Sequence, residues 1–202
     1  MTSTDPEDPI ADALLGDSTY ERLRARRYAL VSGRIPRKLA WQSAFLLALA
    51  LVVPIAATYP EPVRGSFPSG DPLWSTPLVL WFGVYAGAIQ IGSATCLVAV
   101  AALRCRHGPH LSESQATTLL NVEDVASMFG LVTGGFAVVL TLGFFVVGHF
   151  GAESLEAFVD ATPRNPYRET AIAFPVVAVG AAAAACSVIV YLSSRYLAAR
   201  LP

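Results

Sequence analysis

The sequence predicts an all-α integral membrane protein, a four-helix transmembrane bundle preceded by a short cytoplasmic amphipathic helix. Three observations predict it. Four long apolar runs contain no Asp, Glu, Lys or Arg. Charged residues are 14% of the 202-residue chain and apolar residues 54%, whereas a soluble domain carries about 25% charged residues. The charges also collect at the chain ends and in the connections between runs, with the basic ones favouring alternate connections.

Residues 1–17 hold Asp5, Glu7, Asp8, Asp12 and Asp17, interrupted by Pro6 and Pro9. Too little apolar surface is present to offset ordering entropy, so a disordered acidic tail is expected. Residues 18–33 predict a juxtamembrane helix. Ser18 and Glu21 have capping-box spacing and Gly33 suits the exit. Arg22, Arg24, Arg26 and Arg27 crowd this helix, with Tyr20, Leu23 and Tyr28 among them. A basic, partly apolar helix beside a bilayer lies on anionic headgroups, which makes these arginines the candidate membrane-surface residues.

The remaining chain, 34–202, predicts the transmembrane domain, with spans at about 39–59, 78–103, 125–150 and 171–194. Each exceeds or meets the roughly 20 residues needed to cross about 30 Å of hydrocarbon. The second and third are long enough to tilt or protrude. Pro54 removes a backbone bond in the first span and frees the carbonyl of Ala50, which predicts a kink, while Pro175 near the start of the fourth span costs little. The proline-rich connection 60–77 is expected to be irregular. Leu155, Phe158 and Val159 share one face, and Glu153, Glu156 and Asp160 another, which predicts a short interfacial helix in the second outer connection. Ser112 and Gln115 repeat the capping-box spacing. Asn121 with Glu123 and Asp124 reads as the capped start of the third span, and Asn165-Pro166 as that of the fourth.

Eleven of the fourteen basic residues lie before the first span, between the second and third, or after the fourth. Both termini are therefore expected to face the cytoplasm across a cell membrane.

Lipid supplies no hydrophobic drive between helices, so small residues that permit close approach mark the contacts. Gly83 and Gly87 in the second span, Gly130 and Gly134 in the third, and Gly180 and Ala184 in the fourth are the candidate packing residues. Their seams continue at seven-residue repeats through Gln90 and Ala94, Ala137 and Thr141, and Ser187 and Tyr191. Gln90 is the strongly polar side chain near the middle of a span, expected to bond Thr133, Thr141 or Ser187 across the seam. These four are the candidate intramembrane polar residues.

The net charge of −1 excludes the basic footprint of a nucleic-acid binder. Three cysteines, none in the outer loops, argue against a disulfide framework. Cys105, His107 and His110 group after the second span, and thiolate with imidazole suits zinc or copper. Gly108-Pro109 interrupts the group, and Arg104 and Arg106 repel a cation, so no metal site is assigned. His149 is placed to pair with Glu153 if the helix continues past Gly151. No carboxylate falls inside a run, and no phosphate-binding loop, metalloprotease histidine pair or serine elbow is present. No cofactor is expected. The partners expected are the bilayer and a protein, either another chain or a second copy. The favoured reading is a non-enzymatic accessory or scaffold subunit. A small transporter or channel subunit with a path near Gln90, and an interfacial enzyme using His107 and His110, are the alternatives.

Overall fold

The computed structural model describes residues 19–26, 33–67, 70–107, 110–170 and 174–200. Its elements in chain order are α1 (Thr19–Arg26), α2 (Ile35–Ala50), α3 (Val52–Ala57), α4 (Glu61–Arg64), α5 (Leu80–His107), α6 (Glu113–Ser127), a π-helical turn (Met128–Gly134), α7 (Gly135–Val147), a 3-10 turn (Gly148–Phe150), α8 (Ala152–Asp160) and α9 (Val176–Ala198). Among the described residues four stretches are long and apolar enough to cross a membrane: Ile35–Ala57, Leu80–His107, Glu113–Phe150 and Val176–Ala198. The chain is an all-α, multi-pass membrane protein built as a four-helix bundle. The acidic tail, and the part of the juxtamembrane segment at 27–32, lie outside the described residues.

Pro36 in the first turn starts the first span, where its missing N–H costs nothing. The helix breaks at Leu51, whose N–H donates to Ala48 O at 3.0 Å, before resuming with Ile55 N to Leu51 O at 3.0 Å. Pro54 is the cause, since it offers Ala50 no donor. The fourth span packs into that break. A Cβ on Gly180 would lie 3.4 Å from Ala50 O and would collide with Val53 Cγ2, so only glycine fits. Arg64 from α4 turns back onto the end of the first span, donating from Nε to Tyr59 O at 2.9 Å and from Nη2 to Ala57 O at 3.0 Å. A cation there satisfies orphan carbonyls at the negative helix end.

Three boundaries differ from the sequence reading. The third span begins at the Ser112 capping box, where Gln115 N donates to Ser112 Oγ at 3.2 Å and Ser112 N to Gln115 Oε1 at 3.1 Å. No breaker lies between there and Ser127, so Asn121, Glu123 and Asp124 sit inside a continuous helix and do not cap it. Asn165-Pro166 does not start the fourth span. Asn165 Oδ1 accepts from Tyr167 N at 2.8 Å in a turn, and the helix starts after Pro175. The proline-rich connection is partly regular. It contains α4 and a bridge between Pro77 and Glu169.

That bridge joins the two connections. Leu78 N donates to Arg168 O at 2.8 Å, Val79 N to Pro166 O at 2.8 Å, and Thr170 N to Thr76 O at 3.0 Å. Leu155 of α8 is buried beneath them, with Glu153, Glu156 and Asp160 exposed. The opposite end gathers α1, Arg104 over the Tyr20 ring, and Ser194 Oγ donating to Pro36 O at 2.7 Å. The described chain therefore starts and stops at this one end.

The first span contacts the other three, and the second lies along the third. The second and fourth meet sparsely. Large apolar side chains such as Leu47, Phe82, Phe136, Val139 and Ile189 remain exposed on the outside, as lipid contact requires.

Candidate functional site

A column of polar groups runs between the first, second and third spans. At the terminal end Lys38 Nζ donates to Glu123 Oε1 at 2.7 Å, with side chains only 3% and 2% exposed. The other carboxylate oxygen accepts from the Tyr20 hydroxyl. Burial first, and the Glu123 carboxylate second, raise the Tyr20 hydroxyl far above its usual range, so it stays a neutral donor. The Arg104 guanidinium lies 3.9 Å from the Tyr20 ring centroid, a cation–π contact that holds the ring over the pair. α1 thus closes the ion pair from above.

One turn deeper, Gln42 Nε2 donates to Ser93 Oγ at 2.6 Å, and Ser93 Oγ donates to Ala126 O. Ser127 Oγ donates to Glu123 O at 2.6 Å. Below them Gln90 Nε2 donates to Gly130 O at 2.8 Å. Gly130 lies in the π-helical turn, where a Cβ would fall on Gln42 Nε2 and Ser93 Oγ. The glycine is what lets three polar side chains converge on one stretch of backbone. Gln42 Oε1 and Gln90 Oε1 are buried, and among the described residues neither accepts from a donor. A buried acceptor without a donor costs about 1–3 kcal/mol.

The sequence-predicted residues distribute as follows. Gly83 faces Thr141 Cγ2 and Leu49 Cδ1, with a Cβ there at 3.1 and 3.3 Å. Gly87 is half-buried against Leu49, and Gly134 lies against Gln90 and Ile89. Ala184 is half-buried. Gln90 bonds none of Thr133, Thr141 and Ser187, since its amide nitrogen donates to the Gly130 carbonyl. Thr133 is exposed, and Thr141 Oγ1 returns to Ala137 O at 2.8 Å. Ser187 pairs with Ser43, each hydroxyl donating to the other's carbonyl at 2.9–3.0 Å. Tyr191 is 50% exposed and lies off the inward face, which runs through Ala183, Ser187, Val190 and Ser194. Arg24 Nη2 donates to Gly33 O. The side chains of Arg22, Arg26 and Arg27 lie outside the described residues.

His107 Nδ1 contacts Leu103 O at 3.0 Å, and Cys105, His107 and His110 are each exposed. Among the described residues no three His, Cys, Asp or Glu side chains are grouped to hold a metal ion. His149 turns from Glu153 to the break in the first span, with Nε2 3.1 Å from Ile55 O and its ring 5.1 Å from that of Tyr59. Gly151, at φ 95°, ends the helix before Glu153 can come round.

Sequence reasoning missed Tyr20, Lys38, Gln42, Ser93 and Glu123. A faint signal exists: Lys38 and Gln42 are four residues apart, as are Glu123 and Ser127, with Gly130 a further three on. That spacing puts each set on one helix face.

On the side where the second and fourth spans diverge lie two clefts. One, of about 470 Å³, is bounded by Gly83, Gly87, Ile91, Ala178 and Ala182. The other, of about 510 Å³, lies nearer the chain ends, between Val98, Ala102, Arg106, Leu192, Tyr196 and Arg200.

Fold and column together define a multi-pass membrane protein whose polar side chains are largely spent on binding its own helices together. Comparison with protein families, with characterised proteins and with solved structures gives no match to this chain.

Proposed function

We propose that this protein is a non-enzymatic accessory or scaffold subunit that acts through contacts inside the membrane, with both termini in the cytoplasm. The observation that carries this reading is the apolar cleft between the second and fourth spans. Gly83, Gly87, Ala88, Ala178, Ala182 and Ala183 line it beside larger apolar side chains such as Leu49 and Phe174, and these small residues allow another helix to approach closely. The chemistry-bearing groups point the other way. Lys38 and Tyr20 both donate to Glu123, and Gln90 is fully enclosed with its nitrogen engaged. An enclosed amide favours a packing role over a path for solute. The partner is an apolar transmembrane helix, from another chain or a second copy.

Native mass spectrometry of the full-length protein in mild detergent tests the reading. A self-associated species or a co-purifying membrane partner is expected, and Gly87→Leu with Ala182→Leu, which fills the cleft, is expected to release it. A strictly monomeric wild-type protein across several lipids, without a partner, overturns the proposal.

A further inference from the structure

We propose that the cleft between the C-terminal halves of the second and fourth spans binds an anionic phospholipid. The site is independent of the glycine-lined cleft above and rests on a different observation, the pairing of an apolar wall with two arginines at one end.

The wall is made by Val98 and Ala102 on one helix and Leu192 and Leu197 on the other. From Val98 to Arg106 the second span rises about 12 Å, so the apolar surface extends well into one leaflet. At the mouth stand Arg106, in the last turn of the second span, and Arg200, just past the end of the fourth. Both are exposed, and among the described residues no carboxylate pairs with either. The Arg200 guanidinium lies 5.2 Å from the Tyr196 ring centroid, which restrains it over the cleft. Among the described residues no acidic side chain lines the cavity.

An occupant matching this surface carries negative charge at one end and hydrocarbon along the rest. Arginine forks bind phosphate oxygens in pairs, and basic pockets between transmembrane helices hold anionic headgroups. A soluble anion gains nothing from the apolar wall. An acidic peptide finds no donors along it. A phospholipid with a net negative headgroup satisfies both parts, its phosphate between Arg106 and Arg200 and one acyl chain along Val98 and Leu192. Among the described residues no basic side chain lines the glycine-containing cleft, so it offers no comparable headgroup site.

Cys105 lines the cleft and is exposed, and it supplies a reporter that needs no mutation. The full-length protein is reconstituted in vesicles of phosphatidylglycerol or of phosphatidylcholine, and maleimide labelling of Cys105 is followed by peptide mass. Slower labelling in phosphatidylglycerol is expected, and Arg106→Gln with Arg200→Gln should restore the rate in those same vesicles, which removes any general effect of surface charge. Native mass spectrometry supplies the affinity. A preference for phosphatidylglycerol of roughly thirtyfold is expected, from about 1 kcal/mol per arginine. The double variant should abolish it, Ala102→Phe should reduce binding of the lipid with the charges intact, and glycerol phosphate should not displace it. Equal retention of the two lipids overturns the proposal, as does an unchanged preference in the double variant. Loss of preference in Arg164→Gln with Arg168→Gln, at the opposite end, overturns it too. Monomeric protein that retains the lipid would sink the scaffold reading alone.

Discussion

The two ends of the bundle solve one problem by different physics. Each must close the gap where helices stop and polar backbone begins. The terminal end uses charge: Lys38 and Glu123 are buried together and Tyr20 is laid across them. The opposite end uses rings and backbone. Tyr59 stacks on Phe67 with centroids 5.7 Å apart, Phe67 meets Tyr167 edge-on, and the Tyr59 and Tyr167 hydroxyls donate to Phe145 O and Phe144 O, each at 2.6 Å. The paired connections then lie over these rings. The difference teaches where each end is fragile. A buried ion pair fails all at once when one partner is lost, whereas a cluster of rings and single hydrogen bonds fails in small steps.

The largest expected effect tests the charged end. Glu123→Ala strands a buried ammonium and should cost about 3–5 kcal/mol, read as unfolding of the detergent-solubilised protein in denaturant. Lys38→Met combined with Glu123→Leu should recover most of that loss. A single variant no less stable than Arg164→Ala would mean that the pair does not hold this end.

Next come two glycines, one beneath each closure. Gly130→Ala drives a methyl into Gln42 and Ser93, which their hydrogen bonds keep from yielding. Gly148→Ala places one 2.7 Å from Tyr59 Cε1. Each should cost about 1–3 kcal/mol, and the thermal midpoint of helix loss measures it. If the charged end is the stiffer, Gly130→Ala is the worse of the two.

A smaller change is expected on the aromatic side. Tyr59→Phe removes one hydrogen bond and leaves the ring, for about 0.5–1.5 kcal/mol. A loss approaching that of Glu123→Ala would erase the contrast between the ends.

The gentlest probe is pH. Burial pushes the Tyr59 hydroxyl up, with Tyr167 adding to it, and burial takes the Tyr167 hydroxyl to about 12. Tyr20 is raised as well. Each folded-state value lies above the unfolded value of about 10, so the associated stability is intact below that pH and is lost as pH climbs toward the folded values. Ultraviolet absorbance of the wild type should show late-ionising tyrosines. Tyr59→Phe with Tyr167→Phe should remove two of these late groups, and Tyr20→Phe should remove one.

Much of the architecture was legible in the chain. Charge-free runs located the four membrane-crossing helices, and the Ser112 capping box marked the true start of the third, although Asn121 competed for that role. Pro54 announced the break in the first span. The polar column was not legible in the same way. Lys38 read as one of seven basic residues before a span, and Glu123 as a helix-start acid. Gln42 sits in an apolar run whose mean hydropathy hides it. The π-helical turn at Met128–Gly134 left no sign in the residue types alone, yet it puts the Gly130 carbonyl within reach of Gln90.

By itself the sequence determined which segments enter the bilayer. That outcome is a sum of local transfer energies, which depends on residue type and run length and on nothing distant. Only the tertiary structure decided that Lys38 meets Glu123, 85 positions later, that Ser43 meets Ser187, and that the second and fourth helices part to leave clefts. Those contacts depend on the rotation and depth of each helix against its neighbours, which are set by shape across the whole bundle at once.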